Sequence, residues 1–219
     1  MTLVNTGKSH YDKDYYKWQI KAGKYCAQQD LWMYEDNIKS NYRVLDFGCG
    51  GGFMMQRFHC KEKYGVDINT DARQDAKKNG LKVYEYLDNI PKNVMFDLII
   101  SHHALEHVPN PYETLKELKK KLSSGGKIVC LVPIDDWRVE KRYKLHDVNM
   151  HLFTWTPQLI GNLFFLSGFK NIQVQIISRA WLPLSRFYYQ YIPRSVYNIL
   201  SWIWSNLIFS RQIRVIATA

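Results

Sequence analysis

The stretch Tyr42-Arg43-Val44-Leu45-Asp46-Phe47-Gly48-Cys49-Gly50-Gly51-Gly52 decides the fold. A short apolar run passes through an acid, and four of the chain's twelve glycines then fall within five residues. Without side chains the backbone can turn sharply there and approach a bound molecule, and the helix that follows offers free N–H groups to a carboxylate. Asp67 stands twenty-one residues after Asp46, at the end of the next apolar run. In the crevice of a parallel sheet a carboxylate so placed accepts ribose hydroxyls, so the two positions together span a nucleoside.

Outward from this stretch, short apolar runs alternate with amphipathic ones, the pattern of βα units. Strands are expected at about 42–47, 63–68, 81–86, 96–101 and 126–132, with helices at about 51–61, 70–79, 111–122 and 156–167. Pro111 suits a helix start, and Gly80, Gly125 and Gly168 suit helix ends. The runs 169–178 and 211–219 read as two further strands, and the chain before residue 40 reads as mainly helical. The expected fold class is α/β: a doubly wound, mostly parallel seven-stranded sheet with helices on both faces and an antiparallel last strand. At 219 residues one domain is expected, with an N-terminal helical cap (1–40), a cofactor-binding core (41–178) and an aromatic, basic insertion (180–210) before the last strand.

The segments VLDFGCGGG (44–52), GVDI (65–68), FDLIISHHALEHVPNP (96–111) and GGKIVCLVP (125–133) resemble, in order, the motifs of class I, Rossmann-like S-adenosylmethionine-dependent methyltransferases. The resemblance covers about residues 40–178, and HLFTWTPQLIGNLFFLSGF (151–169) is similar to bacterial members. It implies S-adenosylmethionine as cofactor. Gly48 and Gly50, with Cys49 between them, would lie under its methionine part, Asp46 would order its ammonium end, Asp67 would hold the ribose and Ile68 would pack on the adenine. Ser101, at the end of the fourth strand, completes the cofactor-facing set. Relatives often carry an acid for the adenine amino group after the third strand; the aligned position here is near Tyr86, and Glu85, Asp88 or the backbone are the substitutes. A nicotinamide fingerprint would need a small residue three positions after Gly50, where Phe53 stands.

Five of the seven histidines, His102, His103, His107, His146 and His151, fall between the end of the fourth strand and the helix at 156, on the crevice side of such a sheet. Methyl transfer needs alignment of the acceptor, and a base only where the acceptor carries a proton, as an alcohol does. His151 is the first candidate, held by the Leu152-Phe153 anchor that follows it, with His146 and His102 as alternatives. His107 reads as structural. No metal is expected, because carboxylates are not grouped at the strand ends and Asp135 and Asp136 read as a solvated loop. Nor do Cys26, Cys49, Cys60 and Cys130 form a C-x-x-C pair.

Net charge is +10, and no acid follows Asp147. Residues 181–209 hold three of the seven tryptophans. A helix from about Ser195 would place Arg194, Asn198, Ser201 and Ser205 on one polar stripe with apolar residues around the rest. That wide face would pack on the sheet, on a second subunit as a homodimer, or on a membrane surface; about 22 Å of helix is too short to cross a bilayer. No apolar run of signal-peptide length opens the chain, so a cytoplasmic location is expected, peripheral at the inner membrane face if 181–209 docks there. The expected function is methyl transfer to a small or lipid-linked acceptor, foremost an oxygen of a sugar or envelope metabolite. The rivals are a nucleic-acid methyltransferase, disfavoured because no N-P-P-Y or D-P-P-Y motif follows the fourth strand, and a non-catalytic cofactor-binding scaffold.

Overall fold

The computed structural model describes residues 13–136, 138–139, 141–145 and 147–219. The strands β1 (Arg43–Phe47), β2 (Glu62–Val66), β3 (Lys82–Tyr84), β4 (Phe96–His102), β5 (Leu122–Ile134), β6 (Lys170–Ile177) and β7 (Arg211–Thr218) form one sheet in the order β3-β2-β1-β4-β5-β7-β6. All neighbours from β3 to β5 pair in parallel, and β7 runs antiparallel to both β5 and β6.

The centre of the sheet is covered on both faces, and the two-residue period of the strands sorts its side chains. Val44, Leu98, Ile100, Val129 and Leu131 pack with Met33, Tyr34, Met54, Met55 and Ala76, on the side of α1 (Lys13–Gln29), α2 (Trp32–Glu35), α3 (Phe53–Gln56) and α4 (Thr70–Lys78). Leu45, Ile99, Ile128 and Cys130 pack with Leu115, Leu118, Ile160 and Phe164, from α5 (Pro111–Lys120) and α6 (Pro157–Leu166). Helix starts are fixed by side-chain caps: Asn69 Oδ1 accepts from Ala72 N, Asn110 Oδ1 from Glu113 N and Thr156 Oγ1 from Leu159 N, with Pro111 and Pro157 in the first turns of α5 and α6.

Two boundaries differ from expectation. The helix expected at 51–61 is a single turn, α3. Gly125 does not end a helix: α5 stops at Lys120, β5 begins at Leu122, and Gly125 lies in the irregularity between the Phe96–Leu122 and Leu98–Lys127 pairings.

Between β6 and β7 the chain forms α7 (Ser185–Tyr188), a 3-10 turn (Tyr189–Tyr191) and α8 (Arg194–Leu207). The serines share one face of α8 as expected, but that face points inward. Tyr197, Ser201 and Ser205 are fully buried, and Ser201 Oγ donates to the Ala180 carbonyl at 2.7 Å. Small side chains let the helix backbone approach closely, and α1 reaches the same junction, where Tyr25 Oη meets Ser185 Oγ at 2.5 Å and Tyr197 Oη at 3.3 Å. The apolar side is therefore turned outward, with Ile199 60%, Trp202 58% and Leu207 67% exposed, instead of packing on the sheet. Among the described residues no helix is long and apolar enough to cross a membrane.

This orientation sets opposite costs for neighbouring residues. Trp202→Ser should change unfolding free energy by no more than about 0.5 kcal/mol, whereas Ser201→Leu should cost about 1–3 kcal/mol by overpacking, both read from urea denaturation.

Candidate active site

The carboxyl ends of β1, β2, β4 and β5 open onto one crevice. After β1 the chain is tied to β2: the N–H groups of Gly48 and Cys49 both donate to the Val66 carbonyl, at 2.9 and 3.1 Å. Gly48 has φ +79° and a Cβ there would sit 2.4 Å from Ala104 Cβ, so packing as well as backbone angle demands glycine. Gly50 also has a left-handed φ, +50°, but a Cβ there would meet nothing nearer than Gln19 Oε1 at 3.8 Å. It is Gly50 that leaves its face of the loop open. Cys49 turns its thiol inward, where a Cβ on Gly65 would come within 2.6 Å of Sγ, and burial pushes that thiol well up. Only the Cys49 backbone fronts the loop.

Asp67 clamps this loop. Its Oδ2 accepts from Gly50 N and its Oδ1 from Asn69 N, each at 2.8 Å, while Arg73 donates to its carbonyl. Burial pushes the Asp67 carboxyl up, against the opposing pull of those two N–H groups and of Arg73. An ionised carboxylate has about four acceptor sites, so capacity for hydroxyls remains. Ile68 beside it is half-buried. Arg73 also pairs with Glu85 at 3.3 Å.

Asp46 is different. It is 3% exposed, its Oδ1 accepts no hydrogen bond from the protein, and burial together with the Asp67 charge pushes its carboxyl up to about 8. The Ser101 hydroxyl is likewise buried without a protein partner. Each such orphan costs about 1–3 kcal/mol, so this end of the crevice is built for polar groups that the chain does not itself supply. The open face at Gly50 and the donor-hungry Asp46 fit the amino-acid end of S-adenosylmethionine.

The histidines separate into two groups. His102 lies under the N-terminal helices, with Nδ1 2.8 Å from Tyr34 Oη and Nε2 3.1 Å from Cys26 Sγ, and burial, then neighbouring His103, holds it well below the ordinary histidine range. Both its nitrogens are occupied, which removes it from the candidates for a base. His146 lies outside the described residues. His103, His107 and His151 instead surround Glu106, a fully buried acid that sequence reasoning passed over. Its signal was an acid between the apolar Leu105 and Val108, directly before a histidine.

His151 is oriented through its Nδ1. Its Nδ1 lies 2.8 Å from Asp135 Oδ2, another residue missed because it was read as solvated. Burial alone would lower His151, but Asp135, then Glu106, outweigh it and raise the imidazole overall. His103 is also raised: burial is outweighed by Glu106, Gln212 and Asp30. His107 is lowered by burial, despite Glu106. The expected Leu152-Phe153 anchor is half right. Leu152 is exposed, while its N–H and that of Phe153 donate to the Glu106 carbonyl, and Phe153 stacks on Trp155.

The family profile described as "Methyltransferase domain" matches residues 21–174. An uncharacterised protein of Methanocaldococcus jannaschii is 31% identical over 172 residues, spanning 68% of this chain and 81% of that one. A ubiquinone biosynthesis O-methyltransferase of Rickettsia bellii is 29% identical over 72% of this chain and 74% of its own length; relatives of the same name from other organisms are spanned over only 35% to 58% of theirs. The crystal structure of a SAM-dependent methyltransferase from Archaeoglobus fulgidus superimposes with a TM-score of 0.62 at 19% identity, over 90% of this chain and 94% of that one. The sheet order, the glycine loop and the extent of the family match agree: the chain belongs to the class I, S-adenosylmethionine-dependent methyltransferases.

Proposed function

We propose that this methyltransferase methylates a hydroxyl oxygen of a small or lipid-linked acceptor, with His151 handling the hydroxyl. The observation that carries this reading is the His151–Asp135 pair beside Glu106 on the crevice side of the sheet. Asp135 takes the Nδ1 proton and thereby leaves Nε2 as the nitrogen that can act. The sugar or envelope metabolite suggested by the sequence and the O-methylation named in the relatives share this chemistry, an O–H whose proton must leave.

On the cofactor side, Gly48, Cys49 and Gly50 offer backbone to the methionine part, Asp46 takes the ammonium, Asp67 the ribose hydroxyls, Ile68 the adenine face, and Ser101 fills the floor. When bound, S-adenosylmethionine supplies a methyl group on an already activated sulfur. The chain's own task is to hold the acceptor in line at about 3–3.5 Å, exclude water and take charge of one proton.

The outward face of α8 favours a lipid-linked acceptor. Ile199, Trp202, Ile203 and Leu207 are exposed on it, and no acid occurs after Asp147 while Arg194 and Arg211 flank the helix. Aromatic and aliphatic groups seat at the interface, and the cations favour anionic headgroups.

Three measurements check these assignments. Asp46 is protonated in the ligand-free protein below about pH 8, yet an ammonium needs its carboxylate, so binding should release a proton. Cofactor affinity should then rise by about tenfold per pH unit from pH 6 to 7.5. Calorimetry in buffers of different ionisation enthalpy reads the proton, and Asp46→Asn should lose both the release and the slope. Because the folded value lies above the unfolded one, the same carboxyl contributes most stability below about pH 4 and loses it as pH climbs to about 8.

Turnover of a hydroxyl acceptor should fall by about 10² in His151→Ala, and less in Asp135→Asn, with cofactor affinity unchanged in both. Wild-type rates in both variants would exclude the proton-handling role. Finally, the protein should float with anionic vesicles and less with neutral ones, and Trp202→Ser combined with Trp204→Ser should release it; equal flotation of wild type and variant would exclude the membrane face.

A further inference from the structure

Glu106 lies in the 3-10 turn Leu105–His107 directly after β4, fully buried, and neither of its carboxylate oxygens accepts a hydrogen bond from the protein. A buried carboxylate persists only when paired or bound to a metal. Around its Oε1 stand three imidazole nitrogens: His103 Nδ1 at 3.4 Å, His107 Nε2 at 3.9 Å and His151 Nε2 at 4.0 Å. The ligand atoms of Glu106, His107 and His151 all lie within 4.8 Å of one another.

The far side of each ring decides what the near side can be. His151 Nδ1 faces Asp135 Oδ2 at 2.8 Å, and His103 Nε2 faces Gln212 Oε1 at 2.9 Å. Both partners are acceptors, so an N–H sits on each of these outer nitrogens, and in the neutral ring the inner nitrogen carries a lone pair directed at the carboxylate. His107 is steadied by a hydrogen bond to the backbone of Met150. Lone pairs facing an anion in a buried site repel it unless a proton or a metal cation stands between them, and only a metal cation can satisfy the carboxylate and several rings at once. The outer partners are also those that orient metal-binding imidazoles elsewhere: a carboxylate, an amide oxygen and a backbone group.

We propose that Glu106, His107 and His151 form a binding site for a divalent transition-metal ion, with His103 as an adjoining ligand. Two nitrogens and a carboxylate oxygen are the ligand set of open zinc sites, which keep a position for a further group. The preponderance of imidazole selects Zn²⁺, Co²⁺ or Fe²⁺ over the oxygen-seeking Mg²⁺ and Ca²⁺. The expectation of no metal from the sequence looked for grouped carboxylates, and this site is made mainly of histidine.

For the role of the metal, the inference rests on the hydroxyl acceptor proposed above. An acceptor hydroxyl on the open position becomes more acidic and gives its proton to solvent. The oxygen then forms the O–C bond as the C–S bond breaks, and sulfur keeps that electron pair. With the metal bound, His151 Nε2 is a ligand in place of the proton acceptor described above, and its loss would lower turnover through the metal.

The test is metal binding itself. Full-length protein stripped with a chelator and titrated with Zn²⁺ or Co²⁺ alone should bind one equivalent at micromolar or lower concentration. Asp135→Asn should weaken this by about 10–100-fold, and Glu106→Gln by more. Cys26→Ser, in the neighbouring group of Cys26, Asp30 and His102, should leave it unchanged, and the Co²⁺ spectrum should lack a thiolate charge-transfer band. S-adenosylmethionine affinity reports that each variant is folded. Absence of stoichiometric binding, equal binding by Glu106→Gln, or loss on Cys26→Ser would overturn the site. Full-rate methylation by the chelated protein would overturn its catalytic role and leave the hydroxyl reading intact; metal bound as expected with no hydroxyl methylated would sustain the site and refute the acceptor.

Discussion

The bond from Gly50 N–H to Asp67 Oδ2, at 2.8 Å, joins the turn after β1 to the end of β2, and the cofactor half of the crevice takes its shape from it. Gly48 and Cys49 already lean on the Val66 carbonyl, so the loop is tied by backbone at its entry and by a carboxylate at its crest. With the crest fixed, Asp46 is left facing inward at the strand end, buried and without a donor. A negative group there is tolerable only while it holds its proton or meets a cation, which is why the same acid that weakens the empty protein near neutral pH suits an ammonium.

Much of this was legible from local chemistry. Buried parallel strands show as apolar runs, the glycine cluster and Pro111 act within a few residues of themselves, and the spacing of Asp46 and Asp67 is that of one βα unit. The strand count and the antiparallel last strand followed from that pattern. What escaped depends on distant partners. Gly125 resembles a helix stop until the pairing of β5 with β4 makes it part of an irregular strand. The stripe on α8 was readable, but not its direction: whether serines or isoleucines face the protein is settled by how closely α1 and the chain at Ala180 approach, which periodicity does not encode.

The cluster of histidines and carboxylates around Glu106 was the least legible part. Asp135 and His151 are sixteen residues apart, and His103 reaches Gln212 across a separation of 109. Read singly, an acid in a loop and a histidine after a strand are unremarkable, and Glu106 passed as part of a structural turn. Only β7, placed against β5, brings Gln212 behind His103. His102, adjacent in sequence to His103, serves a different purpose because neighbouring side chains at the end of a strand point to opposite faces, and its face is covered by Tyr34 and Cys26.

The loop after β5 is fastened at both ends. Asp135 is held by His151 and by Thr154 Oγ1, and the Leu152 and Phe153 N–H groups are held by the Glu106 carbonyl. Those fasteners lie outside the span between Asp136 and Met150, which also leans on the protein through Arg138 over the Phe209 ring, and lengthening a loop between fixed ends costs only about 0.6 kcal/mol for each doubling. Sequence and length there can drift without moving Asp135, His151 or Glu106. Selection for a new acceptor can act on this span while Asp135, His151 and Glu106 stay in register, so divergence among relatives there is expected to track what they methylate rather than whether they do.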